Sequence, residues 1–580
     1  MQRLPCPPTV ADSAVILGAS PRPVRRRTTR RRRLLTRGGP VLVVAAVAFA
    51  LGARVATGPG RAERHMVTRY VADWTHGETA AMYELLDGAS RARVSETQFA
   101  TLLRHDRSTA TAQAIAVGRV GAISVGTATV AMTVDTRLWG TLHLTLHLPL
   151  SGSGAGARVR LQSSMLFPGL VAGQSLSRRV SLPPRAALLA ADGVPLAQGP
   201  DRTSPIPDVA DQVVGTLGPP SASQARVDMM RGEPAGAQVG HDGLEQVFQG
   251  RLAGRSGGQL LAGSHVIASS QPVPDAAVRT SIVPSLEQAV VAALGGRYAG
   301  MVVMDPRSGA LEAVAGLAYD APQPPGSTMK IVTATAALQA HLVTVSTEFP
   351  ELSQVTIAGY TMQNAGAEVC GGTLLNAFAV SCNSTFAPLG VRVGAKRLIA
   401  AARRYGFDEP SSIPGALEST IPSAASIGGP LEVGSSAIGQ GLVLATPLEM
   451  ADVTATIADR GRRPVPTYAA NAIPRYVHVT TPAVASEVQK MMIAVVAYGT
   501  GAPAQIPGVT IAGKTGTAEL RSTASKAASA NPKNTDSWFV AYAPVGDPKV
   551  AVAALFPNAG YGAAIAAPAV RSVIEAALTR

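Results

Sequence analysis

The sequence predicts a multidomain α+β protein. Its C-terminal half reads as a layered α/β domain with a central antiparallel sheet, preceded by a small α+β domain and a β-rich connecting region. Three observations carry this. The chain is 580 residues long with 46% hydrophobic and 15% charged residues, enough for several cores and unlike a disordered chain. Residues 127–134 and 138–148 alternate apolar and polar residues, as half-buried strands do. Beyond Arg279, short apolar runs are joined by hairpin signals and flanked by helical patterns.

The net charge of +14 is uneven: Met1 to Pro40 holds ten arginines and one aspartate, or +9. The basicity is thus an N-terminal property and gives no argument for nucleic acid. Three cysteines in so long a chain exclude a disulfide scaffold, and no Cys/His cluster has zinc spacing, so neither a metal nor another cofactor is expected. The basic run Arg22 to Arg37 precedes the uncharged apolar stretch Pro40 to Ala53. Basic residues before an apolar run stay in the cytoplasm, so the remainder is expected outside. Residues 1–39 read as a cytoplasmic tail and 40–57 as a single-pass anchor. A cleaved signal peptide is the alternative.

Residues 61–170 read as the α+β domain. Ala62 to Leu86 is helical in pattern, with Tyr70, Trp74, Met82 and Leu85 on the apolar face, and Gln98 to Arg107 continues it. His143 and His147 share a strand face and read as polar surface positions. Residues 171–276 are rich in Gly, Pro and Ser, with a hairpin turn at Ala191-Asp192-Gly193. Residues 279–580 form the last domain. Ser285 to Leu294 reads as a helix. Met301 to Met304 and Leu311 to Gly316 read as strands joined by Asp305-Pro306-Arg307-Ser308-Gly309. Val509 to Ala512, Trp538 to Tyr542 and Val550 to Leu555 read as further strands, and Pro568 to Leu578 as the closing helix.

Pro325-Gly326-Ser327-Thr328-Met329-Lys330 precedes an apolar, Ala-rich helix, which places Ser327 at a helix N-terminus with Lys330 one turn on. Nucleophile, base and an unpaired backbone N–H can then come from a single turn. Lys330 is the first lysine in the chain, every earlier basic side chain being Arg or His. Arginine cannot give up its proton near neutral pH, whereas a desolvated lysine can. Ser381-Cys382-Asn383 follows in a loop between apolar segments, and Lys514-Thr515-Gly516-Thr517 on a strand.

Taken in this order, the three motifs resemble those of serine penicillin-recognising enzymes. The exported part resembles a class B, monofunctional penicillin-binding protein, as do Ala437 to Met450 and Ser537 to Pro544. The first domain, with Ser164 to Gly169, resembles the N-terminal extension of methicillin-resistance-type transpeptidases, and residues 171–276 the pedestal. The resemblance implies a penicillin-binding/serine β-lactamase-like fold and a D,D-transpeptidase acting on peptidoglycan stem peptides ending in D-Ala-D-Ala. Ser327 would be the nucleophile and Lys330 the base, its amine pKa lowered by burial and by Lys514. Ser381 would relay a proton to the leaving amine and Asn383 hold the substrate amide. Lys514 and Thr515 would meet the terminal carboxylate, and Gly516 would leave the strand edge open. The backbone N–H groups of Ser327 and Thr517 would form the oxyanion hole, worth about 3–4 kcal/mol per donor. Implied partners are β-lactams, the membrane and cell-wall synthesis proteins such as a glycosyltransferase. A D,D-carboxypeptidase or β-lactamase-like hydrolase, and a penicillin-acylated sensor or scaffold, are the competing readings.

The chain departs from the family in carrying Arg185-Ala186 and Ala190-Ala191 where the pedestal strand has Arg-Gly and Asp-Arg. Thr280-Ser281-Ile282-Val283 stands for the common Thr-Ile-Asp, and only Leu317 to Pro325 lies between strand and nucleophile. Cys370 and Cys382, both in the exported domain, are expected to pair.

Overall fold

The computed structural model describes residues 60–234, 236–520 and 534–580. Residues 1–39 and 40–57, expected to be a cytoplasmic tail and an anchor, lie outside the described residues. Among those described, no helix is long and apolar enough to cross a membrane. The chain divides into two compact units, residues 1–178 with 260–268 and residues 179–259 with 269–580.

The first unit is α+β. Ala112–Ser124, Thr127–Thr136, Gly140–Ser151 and Arg158–Val159 form an antiparallel sheet in sequence order. Ala128, Val130, Met132 and Val134 alternate inward along the second strand. The first three of these pack with Tyr70, Trp74, Met82 and Phe99 from the preceding helices. The helical run expected over Ala62 to Leu86 is two helices, Arg61–His76 and Thr79–Glu84. Gly77 at φ 78° ends the first by taking the left-handed cap. Helix Glu96–Thr109 starts from a capping box in which Ser95 and Gln98 satisfy each other's backbone N–H. The strand Ala112–Ser124 was not legible in the sequence: it is a sheet edge, mostly exposed, with no apolar alternation. His143 is exposed on its strand, as expected of a surface position.

In the second unit, the turn at Ala191-Asp192-Gly193 joins the antiparallel strands Leu188–Leu189 and Pro195–Ala197. The family's Asp-Arg pair is absent here, yet the region has an ionic core. Glu245 is fully buried; its two carboxylate oxygens accept from Arg185 Nε at 2.6 Å and Arg202 Nε at 2.7 Å. Arg202 also donates to Ala186 O, tying the clamp to the backbone beside Arg185.

The large domain is built on a five-stranded antiparallel sheet. Its strands are β1 (Gly300–Met304), β2 (Leu311–Gly316), β3 (Ala512–Glu519), β4 (Thr535–Ala543) and β5 (Val550–Phe556), in the order β2-β1-β5-β4-β3. Asp305 builds the β1–β2 turn by accepting the N–H groups of Arg307 and Ser308 on its carboxylate. Helices α1 (Pro284–Leu294) and α7 (Ala566–Leu578) cover one face, where Leu286, Val290, Val573 and Ile574 meet Met301, Val303, Val552 and Ala554. The other face carries α2 (Lys330–Gln339), α3 (Leu374–Ala379), α4 (Asn383–Val393), α5 (Pro447–Ala458) and α6 (Pro482–Ala497). Here Val302, Met304, Val540 and Ala553 pack with Met450, Val453 and Val488. Helix α5 is buried along its whole length except at Glu449, with Asp452, Thr454 and Thr456 among its buried residues. β1 and β5 are buried at every position, because helices lie on both faces of the sheet.

Candidate active site

The nucleophile turn is tighter than the sequence predicts. Gly326–Met329 form a 3-10 turn and the α-helix begins at Lys330, so Ser327 lies before α2. Thr328 closes the turn by donating its hydroxyl to Pro325 O at 2.7 Å. Three close approaches hold this turn against the sheet. Gly326 has φ +54°, and a Cβ there would come within 2.8 Å of the Thr517 carbonyl. Its N–H donates to Gly439 O at 2.9 Å. A Cβ on Gly516 would meet Pro325 O at 2.7 Å and Thr328 Cγ2 at 2.9 Å. Gly516 was expected to leave room for substrate; its bare Cα also lets the nucleophile turn sit on β3. The indole of Trp538 is fully buried and donates to Pro324 O at 2.9 Å.

The short connection that replaces the family's insertion is pinned by backbone bonds. Gln323 N donates to Ala445 O, and Ala445 N to Gln323 O. The segment Ala437 to Met450 therefore runs beside the nucleophile turn, through Gly439 and Ala445.

Ser381-Cys382-Asn383 links α3 to α4. Ser381 takes φ +66°, an uncommon conformation for a residue with a side chain. Cys382 N donates to Ala377 O at 2.8 Å, and its sulfur is joined to Cys370, the pairing expected from the sequence. Both ends of the Asn383 amide are engaged: Oδ1 accepts from Lys330 at 2.8 Å and Nδ2 donates to Gln363 O at 3.1 Å.

The two lysines converge on this loop. Lys330 Nζ donates to Ser381 O at 2.7 Å and lies 3.2 Å from Ser381 Oγ. Lys514 Nζ, from β3, lies 2.9 Å from the same Oγ and donates to Thr515 O at 3.0 Å. The sequence paired Lys330 with Ser327; among the described residues, its hydrogen bonds all go to the Ser381–Asn383 loop. Both lysines are fully buried. Burial disfavours the ammonium form and pushes Lys514 down to about 7. Lys330 is held well below its usual value, first by burial and then by the Lys514 charge.

Thr515 and Thr517 complete the strand. Thr515 Oγ1 lies 2.5 Å from the hydroxyl of Thr500, and Thr517 Oγ1 accepts from Gly562 N at 3.3 Å. Thr500 is a site residue that sequence reasoning missed. Its signal was Gly499-Thr500-Gly501 directly after α6, a helix-ending glycine pair around a hydroxyl. Its N–H donates to Ala379 O, so the end of α6 is tied to the end of α3. The structure thus brings all eight sequence-predicted residues to the nucleophile turn, the Ser381–Asn383 loop and one stretch of β3.

Residues 299–575 match the family described as the penicillin-binding protein transpeptidase domain. The match covers just under half of the chain. Over 283 residues it is 37% identical to the peptidoglycan D,D-transpeptidase PbpA of Mycobacterium tuberculosis, covering 44% of this chain and 55% of that protein. It is 27% identical over 277 residues to the peptidoglycan D,D-transpeptidase MrdA of Acinetobacter baumannii, covering 42% of this chain and 40% of that one. This chain thus spans about half the length of the curated relatives it matches. Among solved structures, the D,D-transpeptidase domain of a peptidoglycan glycosyltransferase from Eggerthella lenta superposes with a TM-score of 0.55 at 28% identity, over 68% of this chain and 98% of that one. Penicillin-binding protein A of M. tuberculosis, as its penicillin G acyl-enzyme complex, gives 0.53 at 27% identity over 68% and 99%. The central antiparallel sheet of the large domain, layered between helices, agrees with the penicillin-binding/β-lactamase-like fold of those neighbours.

Proposed function

We propose that the chain is a peptidoglycan D,D-transpeptidase that works through an acyl-enzyme on Ser327. The observation that carries this is the convergence of two buried lysine amines on Ser381 Oγ, inside a matched transpeptidase domain. Burial, and then the Lys514 charge, lower the Lys330 pKa and so favour the neutral amine that a general base requires.

Ser327 Oγ attacks the carbonyl between two terminal D-alanines, and Lys330 takes its proton. Charge developing on the carbonyl oxygen is met by the backbone N–H groups of Ser327 and Thr517. Ser381 passes a proton to the leaving D-alanine amine as the peptide bond breaks. Lys514 and Thr515 hold the substrate carboxylate, with the Thr500 hydroxyl beside them. Asn383 positions the peptide amide. The ester on Ser327 is then attacked by an amine of a neighbouring stem peptide, which forms the cross-link and returns the proton to the serine. A β-lactam follows the first half of this path and remains attached.

In the same reading, residues 1–39 are cytoplasmic, 40–57 anchor the chain, and 61–170 are an N-terminal extension of the methicillin-resistance type. Residues 171–276 act as a pedestal that carries the catalytic domain, residues 279–580, away from the membrane. A glycosyltransferase supplying glycan strands is the partner that fits. The deciding experiment is gel labelling with a fluorescent penicillin. Wild type should label and folded Ser327→Ala should not; undiminished labelling of the variant would move the nucleophile elsewhere.

A further inference from the structure

The loop that carries Ser381 and Asn383 is bracketed by two phenylalanines. Phe378, on α3, precedes Ser381 by three residues, and Phe386, on α4, follows Asn383 by three. Both are fully buried, and their rings meet edge to face, centroids 5.7 Å apart and planes at 63°. Each ring faces one lysine: Lys514 Nζ lies 5.6 Å from the centre of Phe378, and Lys330 Nζ 5.6 Å from the centre of Phe386. The two amines, hydrogen-bonded to the same serine oxygen, thus rest on the two halves of a single aromatic pair.

Such rings act on an amine in two opposed ways. Their hydrocarbon excludes water, which favours the neutral amine. Their electron-rich faces attract a cation, which favours ammonium. Only the second effect depends on the ring being aromatic. We propose that the Phe378–Phe386 pair is a positioning element that apportions the active-site proton between Lys330 and Lys514. The proposal rests on the transpeptidase reading for its consequence, since that reaction needs Lys330 neutral and Lys514 charged. The ring geometry stands without it.

Other charges do not account for the balance. The shift on Lys330 arises from burial and Lys514, and that on Lys514 from burial alone. The elements packed around the two amines carry Arg392 on α4, Glu487 and Lys490 on α6, Glu519 on β3, and Asp536 and Tyr542 on β4. They also carry Lys396, Arg397, Arg403, Arg404 and Tyr405 on helix Ala395–Tyr405, and Glu432 on helix Pro430–Ala437. The hydrogen bonds of the two amines go to Ser381, Asn383 and Thr515. The two ring faces are therefore well placed to set the division.

The test replaces each phenylalanine in the full-length chain with mono-, tri- and pentafluorophenylalanine. This series weakens the ring face stepwise at nearly constant shape. Lysines carrying 13C beside the amine are titrated by NMR, with Lys330→Met and Lys514→Met as assignment controls. Pentafluorination at Phe386 is expected to lower the Lys330 pKa by about half a pH unit, a roughly threefold change in its dissociation constant. Pentafluorination at Phe378 should lower Lys514 by a similar amount, with the intermediate analogues in between. The pH profile of Ser327 acylation by a chromogenic cephalosporin should follow: the acid limb moves down for Phe386 and the alkaline limb for Phe378. Lysine titrations unchanged across the series would overturn the proposal, as would equal shifts of both lysines from either ring. Graded shifts without any acylation of Ser327 would uphold the ring effect and refute the transpeptidase reading, so the two failures are distinct.

Discussion

Lys330 and Lys514 stand 184 residues apart in the chain, yet their amines approach the same atom, Ser381 Oγ, at 3.2 and 2.9 Å. A hydroxyl can accept from one neighbour and donate to another, so this oxygen is a proton bridge between the two. The arrangement places two buried amines in competition for a proton.

Acylation of Ser327 is expected to rise with pH as Lys330 loses its proton and to fall as Lys514, near 7, loses its own. Stability follows a related course. Above about 7 the folded chain has shed a Lys514 proton that the unfolded chain keeps up to its usual 10.5, so stability grows with pH across that window. Lys514→Met should flatten that rise and add about 0.5–2 kcal/mol at pH 6, while abolishing penicillin labelling. Urea titrations at pH 6 and 9 give the comparison; an unchanged slope would remove Lys514 from the account.

Lys330→Arg keeps the charge and loses the base. An arginine cannot surrender its proton here, and its fork does not fit the three acceptor contacts made by the amine. Acylation should drop by about two decades or more. A stopped-flow rate within about tenfold of wild type would show that Lys330 is not the base, since a general base contributes more than that.

Gly516→Ala tests the seating of the nucleophile turn. The added methyl would press on Pro325 O and Thr328 Cγ2, a clash of the kind that costs about 1–3 kcal/mol. Because the displaced segment carries Ser327, acylation should fall by at least tenfold. A variant that loses stability but acylates at the wild-type rate would separate this contact from the chemistry.

Glu245→Ala strips the partner from two largely buried arginines. Leaving Arg185 and Arg202 unpaired should cost about 3–5 kcal/mol. Glu245→Gln, which still accepts hydrogen bonds, should cost less. Denaturation midpoints of the two variants check the order.

The acyl-enzyme should be long-lived. Of the glutamates between the second and third motifs, Glu409 pairs with Arg463 and Glu432 caps its own helix at Gly429 N. Glu487 pairs with Lys490, and Glu449 is buried beside Arg463 and Gly406, its carboxyl pushed up to about 8 by burial. Glu418 is exposed, and no hydrogen bond or ion pair among the described residues joins any of these five to Ser327. A penicilloyl adduct should therefore persist for minutes by mass spectrometry, and peptide or thioester substrates should partition to an added D-amino acid. Turnover within seconds with no aminolysis product would favour a hydrolase.

By itself, the sequence determined the local chemistry. Ser327 three residues before Lys330, Ser381 two before Asn383, and Lys514-Thr515-Gly516 on a strand could be read from spacing and flanking patterns, as could the β1–β2 hairpin and α1. Those features depend on backbone preferences within a few residues, which a sequence displays directly. What it left open were relations between distant segments. Lys330 donates to Ser381 and Asn383, and the 3-10 turn that carries Ser327 forms where Gly326, Gly439 and Gly516 allow backbones to touch. Thr500 joins Thr515, Arg202 joins Arg185 on Glu245, and Phe378 and Phe386 come to lie beneath the two lysines. Each of these depends on close packing of side chains far apart in the chain. Burial, which moves both lysine pKa values, exists only once the helices have closed over the sheet.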